Sequence, residues 1–429
     1  MNKTKIIAAI ELGSSKTATI IGQVQTDENS FEKSISVIGV SAVESAGIKK
    51  GQIVNIEESV EAAISSIEAA ERMAGHNLSS AFVSVGGAHI HSQNSRGVVA
   101  VSGVGGEIGV SDVDRVIDAA SAISLPASRE VIHVLPREYI VDGETGVKDP
   151  IGMSGVRLEV DTHVVTASTA AVKNLTKSLG EAGVNIDDLV FTGLASSESV
   201  LSDTEKELGC VLIDIGAGTT SVAVFIEGSL AYSGVIPVGA RNVTNDIAIG
   251  LRVSLEAAEK IKIFLSSERK RSPQENSKNL NQDDLDVNAL GITELKKVSK
   301  KTLTEGIIRP RLNEIFTMVR LELEKEQLLN RIPSGAVVTG GGAKTVGVVD
   351  SAKRMMSLPV RIGVPGGVVG LIDDVIDPMF STALGLLIFG SKQDGEGAGG
   401  FKFPGKLSFK KPNLGLFGKM VESIKDLLP

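Results

Sequence analysis

Two segments of this 429-residue chain share one pattern, although they lie about 200 residues apart. In each, an aliphatic run is followed by a turn of glycine and small hydroxyl residues and then by a second apolar run. The first turn is 13–17 (GSSKT) and the second is 216–220 (GAGTT). Short aliphatic runs joined by such turns predict tight β-hairpins. The sequence therefore predicts two similar hairpins in distant parts of the chain.

Both turns have the composition needed to bind phosphate groups. Glycine has no Cβ, so backbone N–H groups can approach an anion closely, and the serine and threonine hydroxyls add donors. Asp214 comes two residues before the second turn. Its carboxylate would repel a phosphate unless a cation lay between them, so it implies Mg²⁺ held through bound water. The predicted phosphate-binding residues are Gly13, Ser14, Ser15, Lys16, Gly216, Gly218, Thr219 and Thr220.

A third glycine-rich turn follows the apolar run 336–339. It precedes a predicted helix, whose N-terminus would face a phosphate or a ribose. Each of the three turns alone is also compatible with an ordinary glycine turn, and none is a Walker loop or a dinucleotide-binding fingerprint. The residues of the third turn are Gly340, Gly341, Gly342 and Ala343.

The order and spacing of the three turns resemble the duplicated pattern of the actin, Hsp70 and hexokinase superfamily. Alternating short strands and amphipathic helices separately indicate an α/β architecture. The resemblance implies the actin-like ATPase fold, with two lobes of duplicated ribonuclease-H-like domains around a cleft for ATP and Mg²⁺. It also implies that Glu259 and Lys262 face the adenosine and that Glu11 is a second candidate metal ligand. The segment 377–385 resembles the second connecting helix, where small residues permit close helix crossing.

Five further motifs resemble the FtsA family of bacterial cell-division proteins. They are 47–51 (GIKKG), 70–73 (AERM), 86–90 (GGAHI), 133–136 (HVLP) and 149–155 (DPIGMSG). The resemblance runs in order from Ile6 to about Gly390 and resumes in the tail. It implies an inserted subdomain, 1C, in place of subdomain 1B of actin.

The resemblance also implies boundaries for each subdomain. They are 1–84 (1A, first part), 85–165 (1C), 166–200 (1A, second part), 201–244 (2A, first part), 245–308 (2B), 309–360 (2A, second part), 361–390 (1A, last part), 391–411 (flexible linker) and 412–429 (membrane-targeting helix).

Local signals predict several helices within the body of the chain. Asn55 with Glu58, and Ser111 with Asp114, have the spacing of helix-starting capping boxes. Apolar residues with helical period follow both signals and also occur from 308 to 323, where Pro310 is tolerable only near a first turn. The first of these apolar stripes is Val60, Ala63, Ile64, Ile67, Ala70 and Met73.

The charge of the chain is unevenly distributed. Residues 401–429 carry six lysines and two acidic residues, a net charge of +4, which leaves −12 for the rest of a chain whose total is −8. This balance argues against a nucleic-acid partner, because phosphate neutralisation needs the opposite sign. One cysteine, Cys210, and histidines without metal-ligand spacing do not suggest a metal cluster. These histidines are His89, His91, His133 and His163.

The tail predicts a peripheral membrane anchor. Segment 390–400 (GSKQDGEGAGG) has the composition of a flexible linker. The apolar residues beyond it recur with helical period, and the tail lysines would face anionic headgroups. The alternative is a terminal helix that packs in a groove of the body. The predicted membrane-facing residues are Leu416, Phe417, Met420, Val421, Ile424, Leu427 and Leu428.

The resemblance to the FtsA family implies a role in cell division. The protein would polymerise through subdomain 1C, tether filaments of the tubulin-like protein FtsZ to the cytoplasmic face of the membrane at the septum, and recruit later division proteins. The acidic and apolar FtsZ tail would bind subdomain 2B, where a basic groove would steer it. The candidate residues are Lys297, Lys300, Lys301 and Arg309.

The sequence alone does not decide whether the protein hydrolyses ATP. Glu11 stands where actin has aspartate, and 195–199 (ASSES) offers no glutamine to position a water. Glu198 is a candidate base, but a surface acid on a helix is the other interpretation. We assign no catalytic residue. Two rival functions of the same superfamily are a small-molecule kinase and a pilus-assembly protein that also carries the inserted subdomain.

Overall fold

The computed structural model describes residues 3–26, 33–268, 283–292, 297–371 and 375–393. Its strands are β1 (Lys3–Leu12), β2 (Lys16–Thr26), β3 (Lys33–Glu44), β4 (Ile48–Lys49), β5 (Gln52–Ile53), β6 (Ser80–Val85), β7 (His91–Ala100), β8 (Arg129–Val141), β9 (Glu144–Val147), β10 (Arg157–Ser168), β11 (Asn185–Phe191), β12 (Cys210–Ile215), β13 (Thr220–Ile226), β14 (Ser229–Ile236), β15 (Asp284–Leu285), β16 (Val298–Ser299), β17 (Ala336–Thr339), β18 (Val360–Ile362) and β19 (Val369–Gly370).

Helices alternate with these strands. The α-helices are α1 (Ile56–Ala74), α2 (Val110–Ser121), α3 (Thr169–Glu181), α4 (Thr192–Val200), α5 (Asp203–Leu208), α6 (Ala240–Leu251), α7 (Leu255–Glu268), α8 (Arg309–Lys325), α9 (Val348–Met356) and α10 (Ser381–Gln393). Short 3₁₀-helices cover Val104–Gly106, Val287–Leu290, Leu329–Arg331, Gly341–Lys344 and Pro378–Phe380, and a π-helix covers Thr302–Ile308.

Two sheets repeat one topology. The first has the order β11-β6-β1-β2-β3-β19, and the second has the order β18-β17-β12-β13-β14. In both, a hairpin and a third antiparallel strand are followed on the other side by two parallel strands. The hairpins are β1/β2 and β12/β13, as the two similar glycine turns predict. Each sheet forms the centre of one lobe.

The lobes are joined by a continuous apolar core around α4. Helix α4 connects the end of β11 in the first lobe to the second lobe, and α10 packs along it. Leu194 and Leu384, from these two helices, share a buried cluster with Leu212 of the second sheet. The junction is therefore packed like a protein interior.

A third body is inserted between β6 and α3. Its four-stranded sheet has the order β7-β10-β8-β9, and α2 covers one face over buried Val116, Leu158 and Val164. The other face of β10 contributes Val165 and Ala167 to the core of the first lobe.

The insert also contacts the second lobe through polar groups. Ser92 Oγ donates to the carbonyl of Ser233 on β14 at 2.8 Å and accepts from its N–H at 3.2 Å. His163 Nε2 lies 3.0 Å from Ser233 Oγ, and its Nδ1 lies 2.8 Å from Asn94 Oδ1. The insert thus rests on both lobes, with an apolar contact to the first and a polar contact to the second.

Helix starts agree with the sequence in one case and differ in another. Asn55 caps α1 and accepts from the Glu58 N–H at 3.4 Å, as predicted. The predicted capping box at Ser111 is wrong. Helix α2 begins after Gly109, whose N–H donates to Asp112 at 3.1 Å. Asp112 is fixed there because it also accepts from Ser102 Oγ at 2.7 Å, a contact with a preceding loop.

Of two predicted apolar stripes, one differs in detail and one is confirmed. Met73 closes the predicted stripe of α1 but is 53% exposed, whereas Ala63, Ile67 and Ala70 are buried. The stripe of α8 is buried as predicted, with Pro310 in its first turn.

The C-terminal end of the body differs from the predicted linker boundary. Helix α10 continues to Gln393, because Gly390 and Ser391 are buried within it. The predicted linker start at 391 is therefore wrong by three residues. The predicted membrane helix at 412–429 lies outside the described residues. Within those residues, every helix is too short or too polar to cross a bilayer.

The buried His163 predicts a pH dependence of folding. Burial lowers the pKa of His163 to about 3, with a smaller contribution from Arg137. The unfolded chain binds this proton near pH 6.5, so the folded state loses stability as pH falls below that value, by about 1.4 kcal/mol per pH unit. Chemical denaturation gives the free energy of unfolding at pH 7 and at pH 5. The decrease between the two pH values should be about 2 kcal/mol smaller for His163→Gln than for wild type.

The exposed His76, which follows α1, provides the matched control. His76→Gln should show the same decrease in the free energy of unfolding between pH 7 and pH 5 as wild type. An unchanged slope in His163→Gln would contradict the prediction. His133, whose pKa burial lowers to about 4, remains in all three chains and adds the same contribution to each.

Candidate functional site

A cleft of about 600 Å³ lies between the two lobes and is lined by all three glycine turns. Most of the predicted ligand-binding residues line it. They are Glu11, Gly13, Ser14, Ser15, Lys16, Asp214, Gly216, Gly218, Thr219, Glu259, Gly340 and Gly341.

The two hairpin turns have the same internal hydrogen bond and meet across the cleft. The Gly13 N–H donates to the Lys16 carbonyl, and the Gly216 N–H donates to the Thr219 carbonyl, both at 2.9 Å. A Cβ on Gly218 would lie 2.8 Å from Ser14 Oγ. Only glycine permits this approach of one turn to the other, so the narrow space between the turns depends on it.

The third turn lies against the carboxylate of Asp214. Gly340 has a φ of 81°, and a Cβ there would be 2.2 Å from Asp214 Oδ1. The expected helix begins later than predicted, because the 3₁₀-helix Gly341–Lys344 comes first and α9 starts at Val348. The turn therefore presents backbone to the cleft directly beside the carboxylate.

Asp214 is a buried carboxyl group at the floor of this site. Its side chain accepts hydrogen bonds from Ser196 Oγ and, at 3.1 Å, from Thr382 Oγ1. Burial raises the pKa of Asp214 to about 6, although both hydrogen bonds lower it and Glu11 raises it further. A charged carboxylate is costly here, and a cation in the cleft would offset this cost.

Glu11 and Lys16 form an ion pair on the opposite wall. Lys16 Nζ lies 2.5 Å from Glu11 Oε2, and both side chains are largely buried. The ammonium group also lies 5.4 Å from the centre of the Phe380 ring. Lys16 therefore places a positive charge beside the first turn, and its partner Glu11 keeps that charge balanced.

Four predicted ligand residues do not line the cleft. Lys262 is buried behind Glu259, to which its ammonium donates at 2.8 Å while it donates to Thr244 Oγ1 at 2.9 Å. Thr220 donates to the Val238 carbonyl at 2.8 Å. The Lys262 and Thr220 side chains thus bond to neighbouring protein groups. The four residues are Thr220, Lys262, Gly342 and Ala343.

Several residues that line the cleft are not among the predicted ligand residues. They come from the β4/β5 turn, the end of β6, the starts of α4 and α10, and the face of α7. The Gly51 N–H, for example, donates to Ser14 Oγ at 3.0 Å. The motifs GIKKG and GGAHI, which resemble the FtsA family, contain two of the residues. The main ones are Gly51, Gln52, Gly86, Thr192, Ile263, Ser266, Lys344, Thr345, Met379 and Thr382.

Glu198, the candidate base, does not line the cleft. Its carboxylate contacts Lys206 Nζ at 2.8 Å and Lys392 Nζ. Burial raises the pKa of Glu198, and the two lysines lower it by more. This carboxylate is therefore part of a buried ion-pair network at the end of α4.

The predicted partner-binding residues lie at one end of the second lobe. Lys297 Nζ is 3.4 Å from Asp284 Oδ2, and Arg309 donates to Glu305. These two cations are thus paired with acids in the same region. Three of the four residues precede the π-helix and the fourth follows it: Lys297, Lys300 and Lys301, and then Arg309.

Comparisons with known proteins agree with this geometry. Family models match residues 87–166 ("SHS2 domain inserted in FTSA") and 211–385 ("Cell division protein FtsA"). Cell division protein FtsA of Pseudomonas aeruginosa is 39% identical, over 92% of this chain and 91% of its own length. The proteins of the same name from Borreliella burgdorferi and Escherichia coli K12 are 38% and 33% identical, each over 90% of this chain and 91% of its own length.

Solved structures show the same fold at lower identity. A chain of a PilM-PilN type IV pilus biogenesis complex has a TM-score of 0.61 at 16% identity, covering 90% of this chain and 98% of that one. MreB 5 of Spiroplasma citri bound to AMPPNP has a TM-score of 0.50 at 14% identity, covering 91% and 97%.

The repeated sheets, the cleft between them and these neighbours define an actin-like ATPase fold with an inserted SHS2 domain, and so confirm the predicted fold class. Within that class, the chain belongs to the FtsA family of cell-division proteins. This family membership favours a cell-division role over the kinase and pilus-assembly alternatives.

Helices α4 and α10 cross beneath the cleft at a distance that only glycine permits, so a larger residue at the crossing should destabilise the protein. A Cβ on Gly385 would lie 1.7 Å from the Ala195 carbonyl oxygen, so Gly385→Ala must separate the helices. We expect the free energy of unfolding, measured by urea denaturation, to fall by about 1–3 kcal/mol. Gly180→Ala in α3, where nothing lies within 4 Å of the added Cβ, should instead raise it by about 0.5–1 kcal/mol. Equal effects of the two changes would contradict this account.

Proposed function

We propose that the chain is an ATP-binding, actin-like membrane tether for FtsZ filaments. The observation that carries the nucleotide part is the buried Asp214, which lies against one glycine turn and is the penultimate residue of the strand that leads into another. The remaining parts, which are membrane attachment, FtsZ binding, self-assembly and recruitment of later division proteins, are supported by family membership and by the charge of the sequence.

The residues of the cleft fit a magnesium nucleotide. The turns that contain Gly13 and Gly216 offer backbone N–H groups and hydroxyls to phosphate oxygens, and Lys16 adds a positive charge. Asp214 would hold Mg²⁺ through water, with Glu11 as a second candidate ligand. The bound Mg²⁺ would neutralise charge between the carboxylate and the phosphates. MreB 5 of Spiroplasma citri, which shares the fold, was solved with AMPPNP bound.

The adenosine would lie toward α7 and the third turn. Glu259 lines the cleft there, beside the apolar side chain of Ile263. Lys262 holds Glu259 from behind, so its predicted role becomes an indirect one. Gly340 and Gly341 would face the ribose or a phosphate with their backbone.

We propose that nucleotide binding, and not rapid hydrolysis, is the working property of the cleft. A general base must reach the attacking water within hydrogen-bond distance. Glu198 is held by Lys206 and Lys392 away from the cleft lining. ATP would then stabilise one arrangement of the lobes for assembly, with at most slow turnover.

Removal of the Asp214 charge tests the nucleotide proposal. Calorimetric titration should show that wild type binds ATP more tightly with Mg²⁺ than with EDTA. Asp214→Asn should lose at least about tenfold in the magnesium-dependent affinity, or about 1.4 kcal/mol. Asp114→Asn, at an exposed position of α2, is the matched control and should bind like wild type. Equal affinity of wild type with and without Mg²⁺ would refute the proposal.

FtsZ binding is proposed for the end of the second lobe around α6 and the π-helix. Ile249 on α6 is 77% exposed, and Gly250 beside it packs against Ile307 of the π-helix. Lys301 and Arg309 flank that helix. An exposed aliphatic residue beside these cations suits the acidic and apolar tail of FtsZ. Assembly of copies through the insert would array many such sites.

The membrane proposal rests on the sequence of the tail. Its net charge of +4 contrasts with −12 for the rest of the chain, so an anionic surface would attract the tail and repel the body. One short amphipathic helix should bind reversibly, and an assembled filament would strengthen attachment through effective concentration. Attachment of this kind would place the protein at the cytoplasmic face of the membrane, at the septum.

Co-sedimentation with anionic liposomes and ATP tests the tether. The full chain should pellet and should carry FtsZ with it, whereas a chain that ends at Lys411 should leave both in the supernatant. Ile424→Asp on the predicted apolar face should also abolish pelleting, because a charge there opposes insertion. Ser423→Asp, on the predicted polar face, should retain most of it. Pelleting of the truncated chain to the wild-type extent would refute the membrane anchor.

A further inference from the structure

The two oxygens of the Asp214 carboxylate have different surroundings. Oδ2 accepts from the hydroxyls of Ser196 and Thr382. Oδ1 lies against the backbone of Gly340, where a Cβ would be 2.2 Å away. Within the described part of the chain, no hydrogen bond reaches Oδ1. The carboxylate is therefore fixed through one oxygen, and the other is left for a ligand in the cleft.

The two hydroxyl groups come from the two helices at the junction of the lobes. Ser196 lies on α4, where the chain passes from the first lobe to the second, and Thr382 lies at the start of α10. Their hydroxyl oxygens are 2.9 Å apart, so both approach Asp214 Oδ2 as one pair. All three residues are buried, and the low local dielectric strengthens hydrogen bonds between such groups.

Helix α10 packs against strands of the first sheet and α4 lies between the two sheets, whereas Asp214 belongs to the second sheet. Leu194 and Leu384, which are neighbours of the two hydroxyl residues, are buried in the apolar cluster that joins the lobes and includes Leu212. The hydroxyl pair thus connects the Asp214 carboxylate to the two helices at the lobe junction. A shift of α4 against α10 would change the orientation of Asp214.

We propose that Ser196 and Thr382 are positioning residues of the cation site, which orient Asp214 so that Oδ1 serves Mg²⁺ of the bound nucleotide. This inference rests on the proposed nucleotide function. Neither residue touches the nucleotide through its hydroxyl; both act through Asp214. The orientation matters because Mg²⁺ keeps its bound waters in near-octahedral positions, and Oδ1 must be placed to accept from one of them.

The test compares ATP affinity with Mg²⁺ and with EDTA for Ser196→Ala and Thr382→Val. We measure the dissociation constant of ATP in EDTA divided by that in Mg²⁺. In each variant this ratio should fall about tenfold, because each variant loses one hydrogen bond to a charged group. Affinity in EDTA should stay within about twofold of wild type, since the turns still bind the phosphates. A merely structural role would weaken both affinities together and would overturn the inference.

Two further variants complete the design. Thr382→Ser keeps a hydroxyl at α10 and should restore the magnesium dependence that Thr382→Val loses. Ser199→Ala removes a hydroxyl from the same helix crossing, but Ser199 donates to the Ser381 carbonyl at 2.7 Å and not to Asp214. It should retain the wild-type ratio.

The outcomes separate this inference from the function on which it rests. If wild type gains affinity from Mg²⁺ and both hydroxyl variants keep that gain, the inference alone is overturned. If wild type shows no gain from Mg²⁺, the proposed nucleotide site is overturned and the inference with it. Loss of the gain in both variants, with rescue by Thr382→Ser, supports the positioning role.

Discussion

The carboxyl group of Asp214, buried where two lobes meet, is the constraint on which the rest of the cleft depends. Burial makes its charged form costly, and its pKa rises to about 6 as a result. Within the protein, the hydroxyl pair offsets part of this cost, whereas the backbone of Gly340 lies close to the other oxygen without a hydrogen bond to it. A cation from the cleft would complete the compensation. Binding of a metal–nucleotide and the arrangement of the lobes are therefore energetically coupled.

Duplication explains how this arrangement is built. Each lobe supplies a hairpin whose turn has the same internal hydrogen bond, and the two turns approach so closely that only glycine fits at 218. The insert adds a third body that packs on the first lobe with apolar residues and contacts the second through Ser92, Ser233 and His163.

Local features of the fold and site follow from the sequence, whereas long-range ones do not. The hairpins and the α1 cap depend on neighbouring residues, and glycine and Asn55 signal them directly. The start of α2 was predicted wrongly because Asp112 is fixed by Ser102, ten residues away. The superfamily resemblance implies that Glu259 and Lys262 face the adenosine, but it does not contain the hydrogen bond that Lys262 donates to Thr244 on another helix.

The central claim is that a nucleotide-bound cation lies beside Asp214 between the two hairpin turns. The most direct measurement is a crystal structure with an ATP analogue and Mn²⁺ in place of Mg²⁺, in which anomalous scattering locates the metal. The account predicts one strong manganese peak next to Oδ1 of Asp214, with the phosphates between the turns at Gly13 and Gly216. A nucleotide bound elsewhere, or a manganese peak remote from Asp214, would contradict it.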